Sequence, residues 1–147
     1  MASKYDDYWL LAKPIALCMV EKLLELNFIP EKSLLIPIPL HKTRQRERGY
    51  NQSELICKFM SKFHAFPFDN SLIKRIRYTK TQTNLNAEER MRNVSGAFQI
   101  QNSKQLAGKA VILIDDVLTT GATANACAQE IRKLSPESIF VFTAAKA

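Results

Sequence analysis

The chain has 147 residues, is 46% hydrophobic, and carries 21 Lys and Arg against 14 Asp and Glu, for a formal net charge of +7. That length suits a single domain over residues 1–147 with one core, and its longest apolar runs fall far short of the roughly 18 residues a membrane span needs. The start, MASKYDD, lacks the charged-then-apolar region of a secretory signal, so a cytoplasmic protein without membrane insertion is expected.

Three cysteines, Cys18, Cys57 and Cys127, show no zinc-site spacing and read as free thiols packed in helices. The positive charge is unevenly placed. Between His41 and Arg92 stand twelve basic and five acidic residues, so this middle third accounts for the whole imbalance. Such an excess points to a polyanionic partner, either a phosphate-rich small molecule or a nucleic acid.

In chain order, Tyr8 to Phe28 carries a broad apolar stripe (Leu10, Leu11, Ile15, Leu17, Met19, Val20, Leu23, Leu24, Leu26) that predicts an amphipathic helix, with Pro14 its one discordant residue. SLLIPIPL, Ser33 to Leu40, reads as a buried strand stopped by Pro37 and Pro39, which cannot donate to a sheet ladder. A basic loop follows, then a helix over Asn51 to Phe63 with Leu55, Ile56, Phe59, Met60 and Phe63 at helical spacing. LIKRIRY alternates as a half-buried strand does, and AEERMRN suits a short polar helix within the otherwise irregular stretch from Asn70 to Gln101.

KAVILID, a helical pattern from Ala122 to Leu134, and SIFVFTA then make a β-α-β unit, which implies a parallel sheet flanked by helices in an α/β fold. In such a sheet ligands sit beyond the carboxyl ends of the strands, where Asp115 and Asp116 fall. Thr119, Thr120, Gly121, Ala122 and Thr123 form the turn into the next helix. Backbone N–H groups and the helix dipole there favour an anion, Gly121 allows close approach, and the threonine hydroxyls add donors. Two carboxylates would repel that anion, so they face hydroxyls or a Mg2+ ion beside a sugar. A sugar phosphate satisfies both halves. A Walker B strand would need a GxxxxGK[ST] loop, which the chain lacks. A receiver domain would carry its acidic pair after the first strand rather than near the end of the chain.

VILIDDVLTTGAT, Val111 to Thr123, closely resembles the phosphoribosyl pyrophosphate (PRPP) signature of type I phosphoribosyltransferases. IPIPLHKTRQRERGYNQSELI (Ile36 to Ile56) and RYTKTQTNLNAEERMRNVSGAF (Arg77 to Phe98) are similar to the ComF family, related to GntX, within that fold. The resemblance implies a type I phosphoribosyltransferase-like fold with a reduced hood over the sheet. It implies that Asp115 and Asp116 hold the ribose hydroxyls of PRPP and that residues 119–123 hold its 5′-phosphate. By the same analogy Pro39 to Arg48 is the pyrophosphate loop, with Arg44, Arg46 and Arg48 as its cations, Arg48 foremost. Tyr78 to Leu85 belongs to a lid that includes Thr79, Lys80 and Gln82.

The resemblance further implies Mg2+ carried on PRPP and single-stranded DNA as a partner in natural transformation; DNA-uptake proteins and a second copy of the chain, as a homodimer, are candidate partners that the sequence does not decide. Lys42, Arg44, Arg46, Arg75, Arg77 and Lys80 are the DNA-binding candidates; Tyr50, Tyr78, Phe63, Phe66 and Phe68 could stack on bases, but each ring taken singly reads more readily as core. The alternative is an active transferase moving phosphoribosyl from PRPP to a nucleobase or amine, with no DNA role. ComF-like chains usually begin with a four-cysteine zinc module, whereas SKYDDYW looks like the segment after it, so zinc is expected only where that module is present.

Overall fold

The computed structural model describes residues 4–77, 85–102 and 104–147. Helix α1 (Lys4–Glu25) precedes strand β1 (Ser33–Pro37), helix α2 (Lys42–Arg48), helix α3 (Gln52–His64), strand β2 (Ile73–Arg75) and helix α4 (Ala87–Val94). Strand β3 (Phe98–Ile100), strand β4 (Ala110–Leu118), helix α5 (Ala122–Ile131) and strand β5 (Ser138–Lys146) complete the order.

β4 is the centre of a parallel sheet in the order β1-β4-β5, with Leu35 opposite Ile112 on one side and Ile112 opposite Phe140 on the other. Its apolar run has no polar alternation because both faces are covered. Ile112 and Ile114 enter a core with Leu35, α1 and α3, while Val111 and Leu113 enter a second core with Leu34, Ile36, α5 and the β2–β3 pair. Beyond β1, Phe68 makes a short parallel bridge to Leu35. β2 and β3 pair antiparallel, Ile73 opposite Ile100 and Arg75 opposite Phe98, and form a small separate sheet.

Three expectations are revised. First, α1 runs through Pro14 as expected, but the side it buries is narrower than the apolar stripe and is lined by Ala12, Ala16, Met19, Val20 and Leu23. Leu10, Leu11, Leu17 and Leu26 stay exposed, because the two alanines let α1 lie close along α3 and set which side faces inward.

Second, the basic stretch is largely a helix rather than a loop. KTRQRER is composed mostly of good helix formers; the His41 Nδ1 accepts from Thr43 N at 3.1 Å to cap its start, and Gly49, at φ 83°, closes its end. Third, β3 completes the stretch expected to be irregular. Three residues are too few to show a period in sequence, and Phe98 is held there by pairing with β2.

Candidate functional site

Asp115 and Asp116 lie where β4 has run past β1, so the paired ladder on that side ends at Ile114 and leaves space above it. A cavity of about 450 Å3 occupies the space, lined by both aspartates, by Thr119, Thr120, Ala122 and Thr123, and by Arg44 and Arg48. Arg75 from β2 with Leu85, Arg90, Asn93 and Val94 beside and on α4 form the remaining wall. Chain segments nearly eighty positions apart thus meet around one hollow.

The carboxylates are held by short-range hydrogen bonds. Asp115 Oδ1 accepts from Ser53 Oγ at 3.1 Å and from Asp116 N at 2.9 Å, while Asp116 Oδ1 accepts from Val117 N at 2.9 Å. Burial, then the neighbouring Asp116 carboxyl, pushes the Asp115 carboxyl up to about 7, and the Ser53 hydrogen bond opposes that rise. Burial and the Asp116 carboxyl thus both favour the protonated form of Asp115 relative to an exposed aspartate.

Gly121 begins α5 at φ 81°, a left-handed conformation in which any side chain is strained. The Ala122 N–H donates to Thr120 Oγ1 at 3.3 Å, which curls the turn back on itself at the helix start. Thr119, Thr120, Ala122 and Thr123 of this turn and helix start line the cavity, and hydroxyls with first-turn amides are the donor types that suit a phosphate.

The helical form of Lys42–Arg48 sorts its cations. Arg44 and Arg48, four apart, share one side and line the cavity; Arg46 does not line it, and Lys42 lines an adjoining cleft. Arg75 lines both hollows, whereas Arg77 donates through its guanidinium to the Asn93 and Ser95 carbonyls and ties the end of β2 to the end of α4. Thr79, Lys80 and Gln82, with Tyr78, lie outside the described residues. Phe66 is fully buried, and Tyr50, Phe63 and Phe68 pack against the same core, so these four rings support the fold rather than form a stacking platform.

Several residues were not singled out from sequence. Ser53 is buried and holds Asp115. Asn51 caps α3 through Ser53 N and donates from Nδ2 to the Ile38 carbonyl at 3.2 Å, pinning the turn after β1 to the helix that follows it. Both stand in the quoted RGYNQSELI stretch, where an Asn two positions before Ser-Glu is a legible cap signal. Arg90 and Asn93 stand in the Arg77–Phe98 stretch that resembles the ComF family, but a place in the cavity was not assigned to them, because it depends on how α4 docks. Tyr8 has its hydroxyl buried without a hydrogen bond and its ring 5.5 Å from that of Tyr50. Burial, followed by the charge of Asp116, raises its phenol above the ordinary tyrosine value.

The chain belongs to the phosphoribosyl transferase domain family, whose model matches residues 64–147. Its fold is that of type I phosphoribosyltransferases: the purine phosphoribosyltransferase from Pyrococcus horikoshii superposes with a TM-score of 0.56 over 95% of this chain and 82% of that one, at 15% identity. Among curated relatives, competence protein F of Haemophilus influenzae is 40% identical over 114 residues, covering 77% of this chain and 50% of that protein. DNA utilization protein YhgH of Escherichia coli K12 is 37% identical over 95 residues, covering 65% of this chain and 41% of the relative. Within the family this is therefore a ComF-like chain, and it spans about half or less of the length of the curated relatives it matches.

Proposed function

We propose that the cavity binds Mg2+-PRPP and that the protein handles single-stranded DNA during uptake, as a ComF-like protein. One observation carries the first half. The acidic strand end and the TTG turn open onto the same cavity as Arg44 and Arg48, so carboxylates, threonines at a helix start and two arginines surround a single volume, the set of groups that a sugar phosphate bearing a pyrophosphate calls for. The names of the relatives, competence protein F and DNA utilization protein, support the second half.

In this reading Asp115 and Asp116 accept hydrogen bonds from the ribose hydroxyls, and the amides and hydroxyls of 119–123 hold the 5′-phosphate. Arg44 and Arg48 supply charged forks to the pyrophosphate oxygens. In this reading the Mg2+ ion would travel on the pyrophosphate of its ligand. Mg2+ there would neutralise the charge of the leaving pyrophosphate. Among the described residues no helix is long and apolar enough to cross a membrane.

Calorimetry of Mg2+-PRPP against the wild-type chain and the Asp115→Ala, Asp116→Ala double variant tests the site. Binding by the wild type and its loss in the variant are expected; equal binding by both would remove the assignment. Pyrophosphate release on adding one member of a nucleobase and amine panel would move the reading to an active transferase.

A further inference from the structure

Beside the main cavity lies a second cleft of about 160 Å3, framed by the turn after β1, by α2 and by β2. Lys42, Lys74 and Arg75 line it. Glu54 also reaches it, but its carboxylate accepts from Asn70 Nδ2 at 2.7 Å and lies 3.6 Å from Lys58 Nζ, so its charge is largely answered locally. Three cations thus line the cleft beside this one carboxylate.

Arg75 stands between the two hollows and lines both. Its guanidinium lies over the Phe98 ring at 5.5 Å, which fixes its direction. Burial, with Arg44 and Arg77 nearby, disfavours its charge.

We propose that this cleft seats the phosphate backbone of a single nucleic-acid strand and leads it past Arg75 into the main cavity, so that the strand and PRPP meet on one side chain. The inference rests on the PRPP reading of the main cavity. The cleft is too small for a duplex, and no aromatic ring lines it among the described residues, so recognition would run through phosphates and tolerate any base sequence. The polar side chains of Gln45 and Asn70 in its walls suit the same backbone.

The test is fluorescence anisotropy of a labelled oligothymidylate across a salt series, with Mg2+-PRPP calorimetry on the same proteins: wild type, Lys74→Gln and Arg75→Gln. Lys74 is exposed on β2, so its replacement should leave the melting temperature in place. Expected for Lys74→Gln is a several-fold weaker oligonucleotide complex, a log-log salt slope shallower by about 0.7, and PRPP affinity within about twofold of wild type. Arg75→Gln should weaken both ligands. Unchanged oligonucleotide affinity and slope in both variants would overturn the cleft, as would an acidic peptide of equal charge binding as tightly and with the same dependence on Lys74. Failure of the wild type to bind Mg2+-PRPP, with the Lys74 dependence of the oligonucleotide intact, would instead remove the PRPP reading and leave the strand site standing.

Discussion

Ser53, in the first turn of α3, donates from Oγ to Asp115 Oδ1 at 3.1 Å, joining two positions 62 apart in the chain. The bond links the helix that follows the basic segment to the acidic end of the central strand. It also bears on chemistry, because it favours the ionised form of a carboxyl that burial and Asp116 push the other way.

Ser53→Ala should therefore drive the Asp115 carboxyl further above about 7 and weaken Mg2+-PRPP binding at neutral pH several-fold. Loss of the buried hydrogen bond should cost about 1 kcal/mol of stability. A carboxyl titration followed by NMR, with a denaturant melt, reads both effects; an unmoved titration midpoint would show that the bond does not tune Asp115.

The pH dependence has a defined sign. Asp115 binds its proton more tightly in the folded chain, about 7 against an ordinary 3.8, so its contribution to stability is fully present below about 4 and is lost as pH rises through about 7. Ligand affinity should run oppositely, since two ribose hydroxyls are best met by carboxylates. Melting temperatures between pH 5 and 8 should thus fall more for the wild type than for Asp115→Asn, while PRPP affinity rises over the same range. A wild type and an Asp115→Asn variant with parallel melting curves would count against the shift.

Gly121→Ala places a side chain at φ 81°, where the left-handed backbone costs an L-residue about 1–2 kcal/mol. Space is not the obstacle, as the nearest atom to the added methyl is Leu118 Cδ1 at 3.9 Å. The loss should appear both as a lower melting temperature and as weaker PRPP binding, since relieving the strain re-aims the turn. A variant destabilised but binding normally would separate the turn from the ligand.

Thiol chemistry should divide cleanly. Cys57 and Cys127 are fully buried, and burial raises both thiols, Cys127 to about 12; Cys18 is exposed on α1. Iodoacetamide at pH 8 should modify one cysteine per native chain and three after denaturation, read by intact mass. Rapid modification of a second thiol in the native state would contradict the packing of α3 or α5.

The thirteen residues from Val111 to Thr123 carried strand, acidic end, turn and helix start in sequence alone, because each is a local property: unbroken apolar burial, terminal position, a glycine turn and helical spacing. The same holds for α3, whose Asn51 cap and apolar spacing are neighbours in the chain. Locality failed for the middle third. Lys42–Arg48 has the charge of a loop, but His41 and Gly49 close it as a helix, and only that helix decides that Arg44 and Arg48 face the cavity while Arg46 does not.

Sequence by itself determined the class of fold, the acidic strand end and the threonine-glycine turn. Tertiary structure alone decided that Ser53 holds Asp115, that Arg75 stands between two hollows, that Arg90 and Asn93 close the wall, and that the alanines of α1 face inward. The difference is physical. Strand and helix periods are written in adjacent residues, whereas the direction of a long side chain depends on which distant element packs beside it.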